Sequence, residues 1–201
     1  MARRTRAEME KTRAALLAAA RDAFARHGYA EASMDALTAQ ADLTRGALYH
    51  HFGDKPGLLA AVVAQIDAEM DARLHALSAA ADTPWTGLTS RCRAYLEMAL
   101  EPEIQQVVLR DARVVLGGAS AQSQRACIAS MQGLLESLMA QGVVATTDPQ
   151  ALAALLHGSL TEAAFWIATG DDDDKARLAR SLDALDLLLR GLLRVDQGPR
   201  V

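Results

Sequence analysis

Between Leu58 and Leu74 the large apolar residues stand at positions 58, 59, 62, 63, 66, 70 and 74, the spacing that lays one stripe along a helix. Around this run alanine and leucine dominate nearly every stretch. Val, Ile and the aromatic residues never alternate with polar ones as a half-buried strand requires. Hydrophobic residues make up 51% of the chain and aromatic residues 4%. Such a mixture favours helix, because alanine has no rotamers to lose and leucine loses few on a helical backbone. The chain is expected to be all-α. Its 201 residues allow one sizeable helical unit or two small domains sharing a boundary.

Punctuation along the chain divides it into helices. The first is predicted over residues 6–27, with Leu16, Ala20, Ala23 and Phe24 on one face and Gly28 as its stop. Ser33 caps a short helix over residues 34–41, Asp42 and Leu43 make a tight turn, and Thr44 caps another short helix that runs to about Phe52. Asp54 and Pro56 then start the long helix, which reaches about residue 81. Five more are expected near residues 85–100, 103–115, 120–141, 149–169 and 175–195. Breaks at Pro102, Gly117 with Gly118, residues 142–149 and residues 170–174 separate them.

Net charge is −4, which argues against a nucleic-acid partner until its distribution is considered. Through Gly57 the balance is +2, and beyond it −6, the sign suited to an N-terminal phosphate-binding module. Cys92 and Cys127 offer neither a disulfide framework nor ligand spacing, and no cofactor or metal is implied. The basic N-terminus lacks the apolar core of a secretory leader. No uncharged apolar stretch reaches the roughly 20 residues of a spanning helix. A cytoplasmic protein with reduced thiols and no membrane partner is the simplest expectation.

The stretch from Tyr29 to Leu59 carries the functional information. Two short helices joined by a turn of few residues make a helix-turn-helix, whose second helix fits the major groove of double-stranded DNA. At 100° per residue, Ala47, Leu48 and His51 share the packing side of the second helix, with Leu43 and Phe52. Arg45, Gly46, Tyr49 and His50 lie on the other side. That face offers a guanidinium for guanine or phosphate, and hydroxyl and imidazole donors for backbone oxygens. Gly46 disfavours helix by about 1 kcal/mol relative to alanine, a cost that makes sense if something bulky must approach closely.

These residues closely resemble the TetR family of transcriptional regulators. The matching positions are Gly28-Tyr29, Ala36-Leu37 with Ala41, Leu43-Thr44-Arg45-Gly46, Leu48-Tyr49-His50-His51-Phe52, and Lys55 with Leu58-Leu59. Specific similarity covers about residues 10–63. One departure is Asp42, which stands where the family has glycine, although Asp tolerates left-handed backbone better than most residues. The resemblance implies that Thr44 and Tyr49 bond phosphates, that Arg45 reaches base edges or phosphate, and that His50 flanks the same backbone. It also implies that Lys55 clamps another phosphate and that Ser33 adds a contact from a helix N-terminus. Ordinary roles compete with these: Ser33 as a mere cap, Tyr49 in packing, Arg45 as a solvated charge. His51 is expected to pack.

By the same resemblance, residues 1–54 form a three-helix DNA-binding domain, and residues 55–201 a helical bundle for effector binding and homodimerisation. Leu152, Leu155, Leu156, Ser159, Leu160 and Ala163 make one apolar stripe, and Leu178, Leu182, Leu185, Leu189, Leu192 and Leu193 another. Periodicity alone leaves open whether these serve the monomer core or a second subunit. Dimerisation follows from the DNA reading, because palindromic operators match twofold proteins. For an unknown small-molecule effector, apolar or aromatic, the candidate lining is Trp85, Met98, Leu109, Met131, Leu135, Met139, His157, Thr161, Phe165 and Trp166. Flexible methionines and scattered polar groups suit such a pocket, although each residue has plain core packing as its alternative.

A repressor released from its operator by a ligand is the resulting expectation, with an effector-independent DNA-binding protein of the same fold as the alternative. An enzyme is the competing class. The carboxylates from Asp171 to Asp174 lack the glycine turn of a calcium loop. His50-His51 lacks the spaced glutamate of a zinc helix, and no nucleophile elbow, phosphate loop or dinucleotide fingerprint is present.

Overall fold

Gly28 has φ 75° and ψ 164°, in the positive-φ region that favours glycine, and it divides the first helix into a rod and a closing turn. A Cβ there would also stand 3.0 Å from Gln106 Nε2. The computed structural model describes residues 6–40, 43–170 and 173–194. The expected turn residues Ala41 and Asp42, and Asp171 and Asp172 of the carboxylate run, lie outside the described residues. The helices are α1 Arg6–Glu31, α2 Met34–Gln40, α3 Arg45–Phe52, α4 Lys55–Ala79 and α5 Pro84–Met98. A π-helical stretch, Ile104–Asp111, runs into α6 Ala112–Leu116, followed by α7 Ala121–Ala140, α8 Pro149–Thr169 and α9 Asp174–Arg190. The chain is all-α, as its composition requires.

By packing, the chain divides into two compact units, one of Met1–Asp67 with Pro102–Ser120, the other of Ala68–Glu101 with Ala121–Val201. The first unit is built on Leu16, Ala20, Phe24, Leu37, Leu48, Leu58, Leu59 and Val62, each at most 2% exposed. α3 and α4 each start where a local side-chain oxygen receives an orphaned amide. Thr44 Oγ1 accepts from Ala47 N at 3.2 Å, and Asp54 Oδ1 from Gly57 N at 2.6 Å. Between α3 and α4 the corner is so tight that a Cβ at Gly57 would fall 2.1 Å from the Phe52 carbonyl oxygen.

Residues 102–120 join this unit through contacts spanning the sequence. Arg21 Nε and Nη2 each donate to a Glu103 carboxylate oxygen at 2.7 Å, and Asp111 Oδ2 accepts from the Tyr29 amide at 2.8 Å. A single regular helix over residues 103–115 was the local expectation; its first part is π-helical instead. The wider turn brings residues five apart near one another, and Gln106 Nε2 accordingly donates to Asp111 Oδ1 at 3.1 Å.

The second unit packs α5, α7, α8 and α9 around Leu88, Leu96, Leu135, Leu138, Ala153, Ile167 and Leu189, all at most 1% exposed. Asp148 caps α8 by accepting from Ala151 N at 2.7 Å. At the other end of α8 the buried Arg177 donates from Nε and Nη2 to Ile167 O at 3.0 and 2.7 Å, with Asp174 Oδ1 2.7 Å from Nη2. α9 ends at Arg190, short of the expected 195, because Leu192–Arg194 turn away to pair with Val143–Ala145. Ala145 N donates to Leu192 O, and Arg194 N to Val143 O, both at 2.9 Å. By length and composition α8 could cross a membrane, with Glu162 interrupting the apolar run; 33% of its most apolar window is buried within the fold.

Candidate nucleic-acid interface and ligand cavity

α3 turns Leu48 inward, 1% exposed, and keeps Ala47, His51 and Phe52 half-buried. Arg45, Gly46, Tyr49 and His50 are exposed, with Tyr49 at 48%. Ser33 and Thr44, ahead of α2 and α3, are exposed as well. The inward and outward sets are those the helical period assigns. A Cβ at Gly46 would meet nothing nearer than Thr44 Oγ1 at 3.8 Å, so the chain's own packing does not demand glycine there.

Charged groups on this surface are tethered. Arg45 Nε lies 2.9 Å from Asp35 Oδ1, both side chains being more than half exposed, which joins the first turns of α2 and α3. The half-buried Lys55 donates from Nζ to Ala30 O at 3.2 Å and sits 4.4 Å from the Tyr29 ring centroid. This brings Lys55 to the link that precedes Ser33. Burial, and secondarily the Asp54 charge, push the Tyr29 phenol up, so the ring beneath Lys55 stays neutral. An exposed amphipathic tyrosine beside a guanidinium and an imidazole suits hydrogen bonding to phosphate and base edges.

In the second unit a cavity of about 30 Å³ is lined by Leu74, Arg91, Cys92, Tyr95, Cys127, Met131, His157 and Leu160. Arg91 is 3% exposed; Nη2 donates to Asp71 Oδ1 at 2.9 Å and Nη1 to Ser130 Oγ at 3.0 Å. Burial pushes the Cys92 thiol up to about 12, against a smaller opposing pull from Arg91. His157 is pushed down by burial and then by the Arg91 charge, so its imidazole is neutral at pH 7. The space holds a water or two, whereas pockets for drug-sized ligands run to roughly 300–1,000 Å³. Two open grooves are larger. One of 580 Å³ runs beside Arg73, Leu77, Met98 and Glu101, and one of 340 Å³ lies between α8 and α9.

Residues 16–62 match the family model for bacterial regulatory proteins, tetR family, and residues 85–192 match that for the Tetracyclin repressor-like, C-terminal domain. The chain belongs to the TetR family of transcriptional regulators. A TetR-family transcriptional regulator from Pectobacterium atrosepticum is 69% identical in sequence to it, and their structures agree with a TM-score of 0.90 over 98% of this chain and 100% of that one. The HTH-type transcriptional regulator SrpR of Pseudomonas putida is 44% identical over 64 residues, 32% of this chain and 30% of that protein. The HTH-type transcriptional repressor BepR of Brucella suis biovar 1 is 33% identical over 107 residues, 53% of this chain and 51% of that protein. The chain thus spans 30% to 51% of the length of the first curated relatives it matches.

In this TetR-family chain the ten residues expected around a ligand are dispersed. Met131 and His157 line the cavity, Met98 the α4–α5 groove, and Trp166 the α8–α9 groove, where Arg180 lies 5.2 Å from its ring centroid. Leu109 is buried in the first unit. Trp85, Met139, Thr161 and Phe165 are half-buried and Leu135 fully buried, and none of these five lines the three spaces described. Sequence reasoning did not single out Leu74, Arg91, Cys92, Tyr95, Cys127 or Leu160 for this cavity. A signal existed for Arg91: it lies three residues after Leu88 and beside Cys92 on the buried face of α5.

On the outward side of α8 and α9, Leu155 is 72% exposed, Leu187 73%, Leu188 54% and Trp166 43%. The two expected stripes split here. Leu156, Leu160, Leu185 and Leu189 enter the core, while Leu155 stays outside.

Proposed function

We propose that this TetR-family regulator is a homodimeric repressor that binds double-stranded operator DNA in the cytoplasm and is released by a small ligand held in its second unit. The single observation carrying the DNA contact is the outer face of α3, where Arg45, Tyr49 and His50 are exposed around a glycine that internal packing does not require. Thr44, Ser33 and Lys55 supply further phosphate contacts from the neighbouring helix starts. Repression is supported by the names of relatives, including a probable acrEF/envCD operon repressor of Escherichia coli that is 43% identical over 58 residues. The exposed leucines of α8 and α9 support pairing with a second copy of the chain rather than with lipid. Regulation, not catalysis, is the role inferred.

Mobility shift on the DNA upstream of its own gene tests this reading. Arg45→Ala and Tyr49→Phe are each expected to weaken binding while the circular dichroism of the fold is unchanged. Unaltered affinity in both variants sinks the assignment of α3. A second reading, a DNA-binding protein without an effector, is favoured by the small volume of the cavity. A compound screen in the same assay that releases nothing selects it.

A further inference from the structure

We propose that the ligand of the second unit's cavity is an amphiphilic organic anion, an acid head on an apolar body, with the head received by Arg91 and His157. This rests on the effector reading above and names the chemical class of that effector.

A buried charge is costly unless compensated. Arg91 is 3% exposed, and its carboxylate partner Asp71, at 2.9 Å, is itself 32% exposed, so water shares that compensation. Ser130 Oγ receives the other terminal nitrogen and lies 2.9 Å from His75 Nε2. The guanidinium is therefore fixed by both terminal nitrogens, on residues of α4 and α7. Arg91 borders the cavity, as does His157, whose ring feels the Arg91 charge.

The wall contains a guanidinium and an imidazole and no Asp or Glu. Its Cys92 thiol is held neutral by burial. Asp71 offsets the Arg91 charge, so the preference rests on donors: the wall offers an incoming acid guanidinium and imidazole N–H groups, and offers a cation no carboxylate. A neutral imidazole can donate to a carboxylate or accept from a protonated acid. Leu74, Met131 and Leu160 supply an apolar remainder suited to hydrocarbon. At about 30 Å³ the cavity admits such a body only as side chains yield, which Met131 does readily.

Matched probes separate the classes. Octanoate, octan-1-ol and octylammonium, and 4-phenylbutyrate beside its alcohol and amine, are titrated calorimetrically into the full chain. A library balanced in acids, neutral compounds and cations is screened for operator release in parallel. The acids are expected to bind about 10-fold tighter than the alcohols, with the ammonium ions weakest. Asp71→Asn removes a competitor and tightens acid binding a few-fold, whereas His157→Gln weakens the acids about 5-fold and leaves the alcohols unchanged. Arg91→Gln abolishes the preference; should that variant unfold, the other two decide. Alcohols or amines binding as tightly as acids, or library hits that are mainly neutral or cationic, overturn the anionic class and leave the effector reading standing. If no probe binds and no compound releases DNA, the effector reading falls and the ligand class with it.

Discussion

On α3 and on the α8–α9 pair, residues face outward that internal packing does not use, and the two sets differ in kind. α3 buries Leu48 and exposes Arg45, Gly46, Tyr49 and His50. α8 and α9 bury Leu156, Leu160, Leu185 and Leu189 and expose Leu155, Trp166, Leu187 and Leu188. Polar tips around a bare backbone position fit a charged, hydrated partner that must come close. Exposed leucines and a tryptophan fit a partner that excludes water. On the function proposed above, the first surface meets phosphate and the second meets protein.

The largest effect should come from breaking the apolar surface. Leu155→Arg with Leu187→Arg is expected to give a folded monomer in sedimentation, with operator affinity down about 100-fold or more because one half-site alone binds weakly. A persistent dimer would move the interface elsewhere. Arg45→Ala should cost about 1–3 kcal/mol of operator binding, roughly 10- to 100-fold, read by mobility shift. Tyr49→Phe, losing one hydroxyl, should cost about 1 kcal/mol.

Gly46→Ala sharpens the comparison because its two readouts have opposite signs. With open space around the added methyl, the thermal midpoint should rise, by up to about 1 kcal/mol of stability, while operator affinity falls several-fold. A tighter complex would mean that DNA does not approach this helix. Asp35→Asn should have the smallest effect. Freed from its carboxylate, Arg45 should raise affinity for non-operator DNA a few-fold and steepen the salt dependence. An unchanged ratio of specific to non-specific affinity would show that the pair does not orient the guanidinium.

What the sequence revealed was mostly local. Thr44, Asp54 and Gly28 act on residues within a turn or two of themselves, so their capping and stopping roles could be read from spacing. The division of α3 into two faces followed from the same periodicity. Features set by distant partners were hidden. Glu103 and Asp111 find Arg21 and Tyr29 across 82 residues, and α9 stops because its continuation pairs with residues 143–145. Periodicity marked leucines for burial without saying by what: it left Leu187 and Leu188 off the α9 stripe, and both are exposed, but it placed Leu155 on the α8 stripe, and that residue is exposed too. The cavity was the least legible part. Arg91 is held inside by Asp71 and Ser130 on two other helices, partners that spacing within α5 cannot reveal.

The corner at Gly57 has a mechanical consequence. Phe52 O stands where any side chain at that position would begin, Asp54 N donates back to Phe52 O at 2.9 Å, and Gly53 N closes on Tyr49 O at 2.9 Å. Any side chain at position 57 would have to push the Phe52 carbonyl aside, and so would re-aim the end of α3 against the start of α4.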